Sequence, residues 1–224
     1  MCVVRAIVMV TDREVVTEAL VELSARRPLF HDEADLVRAL ALAIHKLRPQ
    51  FEIPRIEVTH VLPGKQKLDI LAKLDRSRIA IEMKYVRASL NRGNPFRLSG
   101  EWYWPSSTSQ PDDRTRFKFW EDVERLESVT EESQDLVGYA ILLTNKESLW
   151  NPPETDKPHD SMFRIDSGKK HGTLRWGKGT SLTTIKEFGE SVIIRGYYSV
   201  KWKHYSWIPG NKHDEFKYAL VHVT

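Results

Sequence analysis

The segment Ile79-Ala80-Ile81-Glu82-Met83-Lys84-Tyr85 constrains this chain more than any other stretch, because it is a strongly apolar strand that carries two charges. Strand side chains alternate between faces, so Glu82 and Lys84 project together with Ala80, while Ile79, Ile81, Met83 and Tyr85 project the other way. A second β-type segment, Lys67 to Leu74, precedes it across Asp75-Arg76-Ser77-Arg78 and carries Asp69. A tight turn over those four residues pairs positions whose numbers sum to 153, which sets Asp69 opposite Lys84 and Leu71 opposite Glu82. The expectation is a hairpin with Asp69, Glu82 and Lys84 clustered on one side of the sheet.

Two converging carboxylates suit a hard, oxygen-seeking cation, Mg²⁺ or Mn²⁺. Such a cation can polarise a phosphate and acidify a bound water, while the lysine orients that water or stabilises developing charge. The motif needs its context, because a Glu-x-Lys pair also occurs on ordinary half-exposed hairpins.

Thr11-Asp12-Arg13-Glu14 fits a capping box and predicts a helix from about Asp12 to Ala25, ended by Arg26-Arg27-Pro28. A second helix starts at Asp32, with Leu36, Val37, Leu40, Ile44 and Leu47 at helical spacing up to Pro49. Strands follow at Ile56 to Leu62, Lys67 to Leu74 and Ile79 to Tyr85, joined by Pro63-Gly64 and the Asp75 turn as an antiparallel meander. Residues 86–112 read as a long surface excursion without periodicity. A third helix spans about Asp113 to Val129, burying Phe119, Trp120, Val123 and Leu126, and Leu136 to Thr144 is an apolar run typical of a strand covered on both faces. Beyond Trp150 the helical signal disappears, and Ser191 to Tyr205 and Phe216 to Val223 read as strands.

The order helix, three strands, helix, strand is that of an α/β sandwich with a mixed sheet. With Asp69 on the second strand and Glu82-Met83-Lys84 on the third, it resembles the PD-(D/E)XK, or restriction-endonuclease-like, nuclease superfamily, whose core is an α-β-β-β-α-β unit. The resemblance covers residues 30–145 of a single domain spanning 1–224, with a β-rich extension over 146–224. It implies a metal-dependent nuclease, most naturally a DNA endonuclease, with the first acidic position on Asp69, the second on Glu82 and the lysine on Lys84. Leu68 stands where the family's namesake proline would precede Asp69, a change the family tolerates. Many members also place a glutamate on the first helix near the metal, a role that falls here on Glu33. Glu33 extends its helix's apolar stripe, and its other reading is a helix N-terminal acid favoured by the macrodipole.

Arg87, Arg92 and Arg97 follow the lysine strand in a stretch without acids and are candidate phosphate contacts, with Arg116 a weaker one. A solvated basic loop is the other reading. The last third holds 11 of the 22 aromatic residues, with Lys201 and Lys203 flanking Trp202. That pattern is read first as the core of a β-rich unit and second as a stacking surface. No histidine shows metal-ligand spacing.

The net charge of +3 is too balanced to indicate nucleic acid by itself, although residues 146–224 hold 13 basic and 9 acidic side chains. A single cysteine, Cys2, excludes an internal disulfide framework and a cysteine-rich zinc site. The apolar opening 3–10 is interrupted by Arg5 and reads as a strand or short buried segment, not as a signal peptide or membrane anchor, so a cytoplasmic location is expected. One such site cuts one strand, so double-strand cleavage implies a homodimer. The alternatives are a nucleic-acid-binding or scaffold protein that keeps the fold without catalysis, and an enzyme acting on a small molecule in an apolar pocket elsewhere.

Overall fold

The computed structural model describes residues 12–59, 61, 66–75, 77–90, 95–104, 110–153, 158–166, 168–210 and 213–224. The apolar opening 3–10, Cys2, the Thr11 cap, the Pro63-Gly64 connection and Arg92 lie outside them. The elements are α1 (Asp12–Arg26), α2 (Glu33–Leu47), β1 (Arg55–Thr59), β2 (Lys67–Lys73), β3 (Arg78–Val86), β4 (Phe96–Leu98), β5 (Glu101–Tyr103), α3 (Asp112–Glu131), β6 (Leu136–Thr144), β7 (Lys169–Arg175), α4 (Leu182–Phe188), β8 (Ser191–Ser199), β9 (Trp202–Trp207) and β10 (Glu215–Val223). The protein is a mixed α/β fold. Six strands form one sheet in the order β1-β2-β3-β6-β10-β9, in which β3 and β6 are parallel and every other pair is antiparallel.

Two apolar layers sandwich this sheet. One joins α1 and α2 to Ile79, Ile81, Met83 and Tyr85 of β3. The other joins α3 and the β7-β8 ribbon to Ala80 and Val86, on the face that Glu82 and Lys84 share. Central β6 is buried along almost its whole length, as its apolar run requires. A Cβ at Gly138 would meet the Cβ atoms of Leu126 and Val223 at 3.1 Å each, so the glycine lets α3 lie close to the sheet.

The helices that frame the site start where local chemistry sets them. Asp32 caps α2 by accepting from the Asp35 amide at 2.7 Å, and Leu36, Val37, Leu40 and Ile44 are buried below. Arg27 grips both Asp35 oxygens at 2.9 Å, which fixes the α1–α2 connection. On α3, Phe119, Trp120, Val123 and Leu126 are buried as their spacing predicts. No helix among the described residues is long and apolar enough to cross a membrane.

Five sequence expectations are corrected. The β2–β3 register sums to 151, pairing Ile70 with Ile81 and Leu71 with Ala80, because the Leu74 amide bonds the Ser77 carbonyl at 2.8 Å and the loop holds two residues instead of four. The shift of two preserves parity for Ile70 to Lys73, but the ladder ends before Asp69, so the expected Asp69–Lys84 pair does not form. Within the expected excursion 86–112, β4 and β5 form a hairpin. A short helix, α4, does exist beyond Trp150, started by Ser181 accepting from the Thr184 amide at 3.1 Å. The run Ser191 to Tyr205 breaks into β8 and β9, which belong to different sheets. The last third is β-rich, yet its β9 and β10 complete the central sheet beside β6 instead of extending beyond it.

Glu127 of α3 clamps the ribbon to the sandwich. Its buried carboxylate accepts from the Arg195 and Gly196 amides, at 3.0 and 2.7 Å, and from the Tyr198 hydroxyl at 2.9 Å. Glu127→Ala strands these donors and is predicted to lower unfolding free energy by about 3 kcal/mol in urea titrations. A loss below about 0.5 kcal/mol, the size of an ordinary surface change, would contradict the clamp.

Candidate active site

Strands β2 and β3 separate partway along. Their ladder runs from Lys73↔Arg78 to Ile70↔Ile81 and stops there, while β2 continues alongside β1 to Lys67. The remainder of β3 stays paired to β6 alone, so its Met83 and Tyr85 amides lose strand partners on the β2 side. Carboxylates take their place. Asp69 Oδ2 accepts from Met83 N at 2.7 Å, and Glu33 Oε2, reaching from the first turn of α2, accepts from Tyr85 N at 2.9 Å. Opposite Asp69, Glu57 sits in the left-handed region at φ 49°, a costly conformation for a non-glycine residue. Across this irregularity the apolar residues of β2 change layers, Ile70 packing on the α2 side and Leu68 on the α3 side.

On the α3 face the charges of β3 meet charges from the helix. Lys84 Nζ lies 2.9 Å from Asp122 Oδ2, and Arg125 stands between Asp122 and Glu82, with Nη2 3.2 Å from Glu82 Oε1. Lys84 also donates to the Met83 carbonyl at 3.1 Å. Glu82 and Asp122 are each only 2% exposed.

Glu33, Asp69, Glu82 and Asp122 thus share one electrostatic neighbourhood with Lys84 and Arg125, in which acids outnumber cations. Burial, reinforced by Asp122 and opposed by Arg125, pushes the Glu82 carboxyl up to about 9. Burial raises Asp122 against the pull of Lys84 and Arg125, and raises Glu33 against Lys84 and the Tyr85 amide. Lys84 shows the opposite balance. Burial alone would lower its pKa, but Asp122, Glu33 and Asp69 hold it above the ordinary lysine value, so its ammonium stays charged.

Among the described residues no group of three or more His, Cys, Asp or Glu side chains is arranged to hold a metal ion. The reason is visible in the contacts: Asp69 and Glu33 face strand amides, and Asp122 faces the two cations. The donor set nonetheless fits a hard divalent cation. Glu82 Oε1 is buried with no hydrogen bond beyond its ion pair with Arg125 at 3.2 Å, and acids outnumber cations around it, as a site for such an ion requires. A shallow cleft of about 110 Å³, lined by Glu33, Asp69, Val37, Arg38, Ile56 and Glu57, opens the split to solvent.

The structure therefore brings together Asp69, Glu82, Lys84 and Glu33. It does not bring the proposed phosphate contacts with them. Arg87 is buried and donates to the Trp104 carbonyl at 3.3 Å, and Arg116 is buried in an ion pair with Asp160 and donates to the Ser148 carbonyl at 2.6 Å, so both guanidiniums are engaged by the protein away from the acid cluster. Arg97 is exposed on the β4–β5 hairpin, and Arg92 lies outside the described residues. Sequence reasoning missed Asp122, Arg125 and the exposed cleft residue Arg38. Asp122 had a readable signal, since it falls three positions after Phe119 and four before Leu126 on the buried stripe of α3.

In metal-free protein the raised Glu82 carboxyl makes stability pH-dependent. Its contribution is complete below about pH 4.5, its ordinary value, and is lost as pH rises toward about 9. Glu82→Gln cannot ionise, so in urea titrations with chelator it is predicted to match wild type near pH 5 and exceed it by on the order of 2 kcal/mol at pH 8. Equal pH dependence in the two proteins would contradict the assignment. Comparison of the chain with protein-family models, with curated proteins and with solved structures finds no match.

Proposed function

We propose that this chain is a metal-dependent nuclease of the PD-(D/E)XK type that hydrolyses phosphodiester bonds, with DNA as substrate. The observation that carries the reading is the split between β2 and β3, where Asp69 meets the strand segment bearing Glu82 and Lys84 amid an excess of buried negative charge. The order α2-β1-β2-β3-α3-β6, interrupted only by the β4–β5 hairpin, with α3 in the crossover between the parallel strands β3 and β6, supports it as an α-β-β-β-α-β unit.

Roles follow from the contacts. Asp69 and Glu82 would hold Mg²⁺ or Mn²⁺, which when bound polarises the scissile phosphate and acidifies the attacking water. Lys84, kept protonated by its acidic neighbours, serves as a cation that orients water and steadies charge on the phosphate, not as a base. Glu33 positions β3 by holding the Tyr85 amide. Arg38, exposed at the cleft, is the cation best placed for a flanking phosphate. Hydrolysis adds the water oxygen to phosphorus and returns a proton to the departing sugar oxygen. A cleft of about 110 Å³ is far below the roughly 300 Å³ of small-molecule sites, which disfavours an enzyme acting on a small metabolite there.

A second reading has its own support. Arg125 already occupies the flank of Glu82 and Asp122 that of Lys84, as in a nucleic-acid-binding protein that keeps the fold without catalysis.

The test is cleavage of single-stranded, duplex and branched DNA in Mg²⁺ or Mn²⁺ by wild type, Asp69→Asn and Lys84→Ala. Both variants are predicted to lose at least about a hundredfold in rate while remaining folded. Wild-type cleavage should rise between about pH 6 and 9, because the cation must displace the proton on Glu82. Equal cleavage by all three proteins sinks the nuclease reading, and DNA affinity without turnover in either metal favours the second one.

A further inference from the structure

Two tryptophans stand out of the fold on the β4–β5 hairpin. Trp102 on β5 and Trp104 just beyond it are 60% and 66% exposed, while Tyr103 between them is buried. Extended chain turns alternate residues to opposite sides, so the two indoles belong to one outward face. Neighbouring exposed aromatics of this kind mark contact surfaces.

The hairpin that presents them is fixed. Its loop, Ser99-Gly100, has both residues at positive φ, 50° and 90°, the two-residue turn that matches the natural twist of a strand pair. Beneath it, the Tyr103 hydroxyl donates to the Leu29 carbonyl at 3.1 Å, and the ring stacks on His31 at 4.5 Å between centroids. Arg87 holds the Trp104 carbonyl at 3.3 Å. His31 lies two residues before Glu33, and Arg87 three residues after Lys84, so the anchors reach the chain on both sides of the acid cluster.

Charge selects the partner. Arg97 pairs across the ribbon with Trp102 and is exposed. The acid of the hairpin, Glu101, is taken up by Arg27 at 3.2 Å and His31 at 3.3 Å. An outward face of two indoles and a guanidinium, with Glu101 turned to the opposite side toward Arg27 and His31, matches bases that stack and phosphates that link them. Duplex bases present no free faces, so only unpaired ones can lie on the indoles.

We infer that Arg97, Trp102 and Trp104 form a docking face for unpaired nucleotides, which makes single-stranded or frayed nucleic acid the substrate class of the acid cluster whose flanking chain anchors this hairpin. The inference rests on the nuclease reading for the cleavage of a docked strand, but not for docking itself.

Fluorescence anisotropy of a labelled oligothymidylate of about 20 nucleotides, and of a blunt duplex of equal length, tests it with the full chain in EDTA, where no cleavage occurs. Wild type is expected to prefer the single strand. Trp102→Ala/Trp104→Ala should weaken that binding by about tenfold or more, and Trp102→Phe/Trp104→Phe should restore most of it, with duplex affinity unchanged in both. Arg97→Ala should weaken it further as salt is lowered, where phosphate contacts count most. Preference for duplex, or an alanine variant that binds the single strand like wild type, overturns the inference. So does a wild-type dimer that the alanine variant dissociates without change in DNA affinity, which would make this face a contact between copies. Tryptophan-dependent docking without cleavage in Mg²⁺ or Mn²⁺ upholds the inference and fails the nuclease reading; cleavage indifferent to both tryptophans does the reverse.

Discussion

Two backbone amides, those of Met83 and Tyr85, govern the organisation of this site. Where β2 turns away from β3 they would be left without acceptors inside the sandwich, at about 1–3 kcal/mol each. Asp69 and Glu33 supply carboxylates in place of the missing strand. A gap in the sheet is thereby held open by charge, and the acids that hold it are drawn from opposite sides, one from β2 and one from the start of α2. The N-cap of α2 at Asp32 and the Arg27–Asp35 fork belong to the same arrangement, since they fix the turn from which Glu33 reaches the strand.

Placing charge at this gap costs stability, and α3 limits the cost. Asp122 pairs with Lys84, and Arg125 reaches both Glu82 and Asp122, yet acids still outnumber cations in a poorly solvated place. Such a cluster can be neutralised by retained protons or by a bound cation, and the two compete. In the proposed reading that competition links acidity, metal affinity and catalysis through one carboxyl, Glu82. Functional sites commonly keep destabilising features of this sort because the chemistry uses them.

Long, strongly patterned segments made most of the fold legible in the sequence. The stripe Leu36 to Ile44, the apolar run of β6 and the alternation along β3 each leave one solution for which side is buried. Glu82 and Lys84 share a face whatever the hairpin register, because they lie two apart on one strand; the register error touched only the expected partners of Asp69 and Leu71. Seven-residue α4 was too short to display a helical period, and the β4–β5 hairpin turns on Ser99 adopting a conformation rare for serine. Arg87 and Arg116 look like surface cations in the sequence. Their burial depends on partners 17 and 44 positions away, which no local pattern reveals. Asp122 and Arg125 were hidden for a related reason: only the crossover of α3 onto β3 tells which charges of the helix meet the strand.

In the proposed reading the gap between β2 and β3 is a cation site built from Asp69 and Glu82. A crystal structure of the protein grown with saturating Mn²⁺, recorded with anomalous scattering, tests it most directly. The account predicts an anomalous peak coordinated by both carboxylates at distances near the roughly 2.1 Å usual for small hard cations, with Arg125 withdrawn from Glu82. A map without a peak at that position, in which Arg125 still lies against Glu82 and Asp69 still serves only the Met83 amide, would contradict it.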